Sequence, residues 1–183
     1  MTRVFLLAAF ALIWSPAMAD DEALWRALRE GGHVALMRHA TAPGVGDPTN
    51  FRIGDCSTQR NLSDAGRREA KAVGERFRAA GVAVGRVVSS QWCRARETAE
   101  AMALGPVIED PRLNSFFEIG DRRAAIAASR QAVLDAPRSG PITVFVTHQV
   151  NVTALTDVYP ASAEIVVAKL TGAGFEVVGS IKP

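Results

Sequence analysis

Three polar clusters in this sequence carry side chains suited to chemistry, and each follows directly on an apolar run. Arg38-His39 follows the run at 34–37, the stretch SSQWCR at 89–94 follows the run at 84–88, and Thr147-His148 follows the run at 142–146. Short apolar runs bounded by polar or turn residues read as buried strands, and in open α/β sheets ligands bind outside the carboxyl ends of the strands. If the three ends converge, two arginines, Arg38 and Arg94, meet two histidines, His39 and His148, with little nearby acid. Such a pocket attracts phosphate or another compact anion, because guanidinium groups present fixed forks of donors to phosphoryl oxygens. Spacing excludes other chemistries. Neither C-x-x-C nor H-E-x-x-H occurs and the three histidines are scattered, so neither a metal nor a cofactor is expected. A C-x5-R nucleophile would need arginine at position 62 or 99, which are leucine and alanine, and G-x-S-x-G is absent.

These side chains need strands and helices in alternation to position them. Residues 22–29 have helical composition and stop at Gly31-Gly32; a strand follows at 34–37, then a loop rich in Pro and Gly that runs to about Asn61. Ser63-Asp64-Ala65-Gly66 opens an amphipathic helix with Ala70, Val73, Phe77 and Ala80 at helical spacing, closed by Gly81. A strand at 84–88 and a helix at 92–103 come next, followed by a broken stretch at 107–120. Then come a helix at 121–136, a strand at 142–146, a short helix at 150–158, and runs at 164–170 and 175–181 that read as a terminal hairpin or two edge strands. The alternation predicts an α/β fold with helices on both faces of one sheet.

The motifs resemble the histidine phosphatase superfamily. "LMRHA" is similar to its Arg-His pair after the first strand, and "SSQWCRARETA" resembles its R-A-x-x-T-A helix start, placing Arg94 at the matching position. "VFVTHQVNV" resembles its late strand ending in histidine, here His148, and "NLSDAG" its L-S/T-x-x-G helix start. The four fall in the family's order between about residues 33 and 167. The resemblance implies a phosphoglycerate mutase-like three-layer αβα sandwich with a mostly parallel central sheet. It also implies a metal-independent phosphatase in which His39 attacks phosphorus to form a phosphohistidine, while Arg38, Arg94 and His148 hold the phosphoryl group. A carboxyl group between the second and third motifs commonly protonates the leaving group in the family. Glu118, after Phe116-Phe117, is the candidate because partial burial would keep it protonated, with Asp121 as a competitor. In the loop "DCSTQRNL", Arg60 and Gln59 are candidate substrate ligands.

The first nineteen residues contain Arg3, an apolar run at 4–14 and Ala17-Met18-Ala19 before two aspartates, the pattern of a signal peptide with an A-x-A cleavage site. Residues 20–183 are then expected to form one domain of 164 residues, exported to the periplasm or secreted, with no stable membrane insertion after cleavage. The remaining balance of 20 basic and 19 acidic residues gives no reason to expect a nucleic-acid partner. Beyond a secretory signal the two cysteines, Cys56 and Cys93, could form one disulfide pinning the loop to the catalytic helix, or stay as two thiols. Expected substrates are a phosphorylated small molecule, a cell-envelope phosphosugar or a phosphoprotein. The alternative function is a non-catalytic anion-binding module, against which the histidine at position 39 counts, since phosphate binding alone needs arginines.

Ordinary readings attach to the other singled-out residues. His33 is read as structural, Arg96 as part of an ion-paired helix face with Glu97 and Glu100, and Arg67-Arg68 and Arg122-Arg123 as solvated helix faces. Phe116 and Phe117 are read as core. Two glycosylation sequons, at Asn61 and Asn151, are read as chance.

Overall fold

Side chains alternate between the two faces of a strand; where both sets are apolar, each face must be covered by helices. The computed structural model describes residues 20–117 and 120–183. In chain order its elements are α1 (Asp21–Glu30), β1 (His33–Arg38), α2 (Asp64–Ala79), β2 (Val84–Ser89), α3 (Cys93–Met102), β3 (Val107–Glu109), α4 (Arg122–Leu134), β4 (Ile142–Thr147), α5 (Gln149–Thr156), β5 (Ile165–Leu170) and β6 (Phe175–Ile181). The six strands form one sheet in the order β3-β2-β4-β1-β5-β6. The first four are mutually parallel, β5 is antiparallel to β1, and β6 is antiparallel to β5. Ala35 and Met37 of β1 and Val144 and Val146 of β4 pack in one core with Leu24 of α1, Phe77 of α2 and Met102 of α3. Val34, Leu36 and Phe145, the alternate positions, pack in a second core with Val133 of α4 and Val152 of α5. The architecture is therefore the expected three-layer αβα sandwich with a mostly parallel sheet.

Register brings the site together. Arg38 of β1 pairs with Thr147 of β4, and Val146 of β4 pairs with Ser89 of β2, so three parallel strands end level. Past those ends the ladder continues for one bond on each side: His39 N–H donates to Thr147 O at 2.9 Å and Ser90 N–H to Val146 O at 3.0 Å.

Two glycines let α2 approach its neighbours closely. The Ser63 hydroxyl caps α2 by accepting from Gly66 N–H at 3.0 Å, and a Cβ at Gly66 would lie 2.1 Å from the backbone oxygen of Thr41, two residues past His39. A Cβ at Gly74 would lie 1.9 Å from Met102 O at the end of α3.

The sequence reading needs correction in two places. The stretch at 107–120 contains the edge strand β3 and a 3-10 turn, Pro111–Leu113; β3 is three residues long and mostly exposed, too short for an apolar run to mark it. Of the two readings of the terminal pair the hairpin holds and the two edge strands do not, because β5 lies between β1 and β6 and of this pair β6 alone is at an edge.

Candidate active site

His39 and His148 lie side by side at the level strand ends, both buried, with ring centroids 5.5 Å apart. His39 Nδ1 lies 2.8 Å from Ala40 O. A carbonyl only accepts, so Nδ1 carries the proton and Nε2 the lone pair. Arg94 Nε–H donates to that Nε2 at 3.2 Å. Burial, with Arg94, Arg60 and Arg38 adding repulsion, lowers the His39 pKa to about 3 against the pull of the Ala40 carbonyl; the imidazole is neutral at ordinary pH. His148 is pushed well below its ordinary value by burial and then by His39 and the same arginines.

A second network holds His148. Its Nε2 lies 2.8 Å from the Ser90 hydroxyl, which is 3.2 Å from Asn114 Oδ1. That amide oxygen already accepts from Gln91 N–H at 2.9 Å. That oxygen has a second lone pair and also takes the Ser90 hydroxyl proton, so the Ser90 oxygen is the partner that fixes the His148 ring through Nε2 while Nδ1 faces the pocket. Among the described residues His148 Nδ1 and Arg38 Nε are buried without a hydrogen-bond partner, and both residues line a cavity of ≈ 260 Å³ with His39 and Arg60. Arg38 is steadied from its other side, where Nη1 donates to Pro160 O at 3.0 Å.

The expectation of little nearby acid is overturned by Asp47. Its carboxylate takes Arg94 Nη1 on both oxygens, at 2.8 and 3.1 Å, and also accepts from Arg60 N–H and from the indole of Trp92, each at 3.0 Å. Partial burial alone would raise its pKa, but the Arg94 contact, the Arg60 amide and the Trp92 indole hold it below the usual carboxylate range. Asp47 is thus an ionised anchor for Arg94 and no proton donor at neutral pH. Nothing in its sequence neighbourhood marks it, because the loop must fold back over α3 before the pair exists. Ser90 sat within the flagged polar stretch without an assigned role; Asn114 carried no signal.

Arg38, His39, Arg60 and His148 all line the cavity, and Arg94 meets His39 Nε2 from the lone-pair side. Arg60 is braced by Gly46 O and Ala42 O. Gln59 is not brought into the pocket. Its Nε2 donates to Arg52 O at 2.8 Å and its Oε1 accepts from Cys93 N–H at 2.9 Å, so both ends of the amide serve to dock the loop on the first turn of α3, where helix N–H groups lack partners. Cys56 and Cys93 are bridged at the same place. Glu118 lies outside the described residues. Asp121 caps α4 through Ala124 N–H at 3.1 Å and does not line this cavity. Phe116 is buried as expected, whereas Phe117 is 58% exposed and lines the cavity, a correction to its reading as core.

Among the described residues no group of three or more His, Cys, Asp or Glu is arranged to hold a metal ion. The arrangement can accept a compact dianionic group between Arg38, Arg60 and His148, beside a neutral imidazole whose Nε2 lone pair is held by Arg94 Nε–H.

No curated protein matches the chain by sequence. Among solved structures it resembles the protein histidine phosphatase SixA complexed with tungstate, at 19% identity over 82% of this chain and 97% of that one, TM-score 0.58. It also resembles phosphoserine phosphatase from Entamoeba histolytica in complex with 3-phosphoglyceric acid, at 14% identity over 82% and 97%, TM-score 0.59. A third is the mycobacterial glucosyl-3-phosphoglycerate phosphatase, at 18% identity over 79% and 96%, TM-score 0.56. At these identities the likeness is one of fold. The model of the histidine phosphatase superfamily, branch 1, matches residues 34–144, more than half of the chain and the span that carries His39 and Arg94: the protein belongs to the histidine phosphatase superfamily.

Proposed function

We propose that this protein is an exported, metal-independent phosphatase that hydrolyses a phosphomonoester or similar phosphoryl compound through a phosphohistidine on His39. One observation carries the reading: Nδ1 of His39 is committed to the Ala40 carbonyl, so the lone pair sits at Nε2, which burial first and the neighbouring arginines second keep unprotonated. In the first step Nε2 bonds to phosphorus as the ester bond breaks, and the leaving oxygen takes a proton from an acid, assigned to Glu118. Arg38, Arg60, Arg94 and His148 stabilise charge on the equatorial oxygens, the electrostatic work that metal ions do in other phosphoryl transfers. In the second step the Glu118 carboxylate takes a proton from water as the water oxygen bonds to phosphorus, the P–N bond breaks, and His39 Nε2 regains its lone pair. Export, with cleavage after Ala19, is supported by the Cys56–Cys93 bridge, since disulfides persist in oxidising compartments.

The test is phosphoenzyme trapping. Wild-type protein exposed briefly to a reactive phosphodonor and quenched in alkaline denaturant should gain one phosphoryl group, lost on mild acid treatment and absent in His39→Ala. No adduct in the wild type, with inorganic phosphate still bound, would overturn the enzyme reading in favour of an anion-binding module.

A further inference from the structure

Beyond the phosphate pocket, the walls of the cleft change character. Val45, Phe117 and Tyr159 are 88, 58 and 73% exposed, and all three line the mouth of the phosphate cavity. Large apolar side chains this exposed need a reason when they cluster. From that mouth, past the shared residues Gly46, Ser115 and Phe117, the cleft continues into a second cavity of ≈ 460 Å³ lined also by Pro48, Phe51 and Trp92. Phe51 and Trp92 stack there, with centroids 4.8 Å apart. Among the described residues no lysine or arginine lines this second cavity; the charged group on its wall is the carboxylate of Asp47, already held ionised by its partners.

We infer that the second cavity is the leaving-group subsite and that the protein selects phosphomonoesters of uncharged, apolar alcohols of about aryl size. The inference rests on the phosphatase reading. The arginines that line the cleft, Arg38 and Arg60, lie in the phosphate cavity with His39. A carboxylate or second phosphate on the alcohol half would find no cation in the subsite and would face Asp47, whereas a ring or alkyl body would find Phe117, Phe51, Trp92 and Pro48. Burying such a body removes apolar surface from water and is favourable, whereas a buried, unpaired charge is strongly opposed.

Three esters whose leaving phenols have nearly equal acidity test this: para-ethylphenyl, para-(hydroxymethyl)phenyl and para-(carboxymethyl)phenyl phosphate. The expected order of kcat/KM is the order given, with about tenfold or more between first and last. Phe117→Ala should narrow the ratio of ethyl to hydroxymethyl ester. Thr49→Lys, which sets a cation on the wall of the same cavity, should raise the carboxymethyl ester relative to the ethyl ester. Equal kcat/KM for the three, or preference for the carboxylate, would overturn the inference and leave the phosphatase intact. Turnover of none, with no phosphoenzyme, would remove both.

Discussion

A buried neutral histidine has a measurable signature in the pH dependence of both rate and stability. His39 titrates near 6.5 when unfolded and near 3 in the folded protein. Between those values the unfolded chain binds a proton that the folded chain does not, so stability is complete above about pH 6.5 and falls as the pH drops toward 3. His148 acts in the same direction. Denaturant melts at pH 7, 5.5 and 4.5 should show this loss in the wild type, and a shallower one in His39→Ala. The nucleophile itself stays unprotonated throughout, so kcat should show no acid limb near 6.5. Two carboxylates are separable by leaving group. Glu118→Gln should lower kcat/KM by about 10²-fold for an alkyl ester and hardly at all for a nitrophenyl ester, as loss of a general acid requires. Asp47→Asn should lower both about equally, by up to about 10²-fold, because it unfixes Arg94 and misplaces the reacting groups. Unequal loss in Asp47→Asn would assign the proton to Asp47 instead. Of these residues His39, Arg38, Arg94 and His148 were legible because each closes an apolar run or begins a helix. Asp47 and Gln59 were not. One is a loop aspartate whose partner lies 47 positions on, the other a loop amide whose two hydrogen bonds define its role only in three dimensions.

At the scale of elements, the catalytic strand end is held by the close packing of α2. The Ser63 hydroxyl donates to Thr41 O at 3.2 Å while its backbone N–H donates to the same oxygen at 3.1 Å, and Glu69 of α2 accepts from Thr41 N–H at 2.8 Å. Only glycine at position 66 lets the helix sit there. Gly66→Ala places a methyl against fixed backbone and should cost about 1–3 kcal/mol, the usual range for overpacking; because Thr41 follows His39 and Ala40, kcat of the folded protein should fall with it. Gly74→Ala makes an equally close clash with Met102 O, but far along the helix. It should lower the melting temperature and leave kcat unchanged. Equal kcat losses in the two variants would mean that α2 moves as one body and that position 66 has no special hold on the site. The strands of this scaffold were legible in the sequence because β1, β4 and β5 are buried on both faces over most of their length and so read as largely apolar runs. The edge strand β3 was not, because its short, mostly exposed sequence has neither an apolar run nor a clear alternation.

Across the whole molecule, the site is assembled from segments distant in sequence, and the 41–61 loop is the part that no strand or long helix fixes. It supplies Asp47 to Arg94 and Arg60 to the pocket, and three contacts dock it on α3: the Cys56–Cys93 bridge, the Gln59 side chain on Cys93 N–H, and the Asp47 pair with Arg94 and Trp92. The bridge spans a sequence separation of 37. Constraining the unfolded chain over a loop of that size contributes about 4 kcal/mol in the chain-entropy picture, and each kcal/mol moves the melting temperature by roughly 2–4 °C in a domain of this size. A Cys56→Ser/Cys93→Ser double variant should therefore melt roughly 10 °C lower. Its activity should fall at temperatures well below that melt, because local opening of the loop releases Asp47 and Arg60 while the sheet stays folded. Reduction of the wild type with dithiothreitol should reproduce both effects and reoxidation reverse them. If the reduced protein instead keeps full kcat and its affinity for inorganic phosphate up to its melting temperature, the polar contacts alone hold the loop, and the disulfide stabilises the unfolded-to-folded balance without shaping the site.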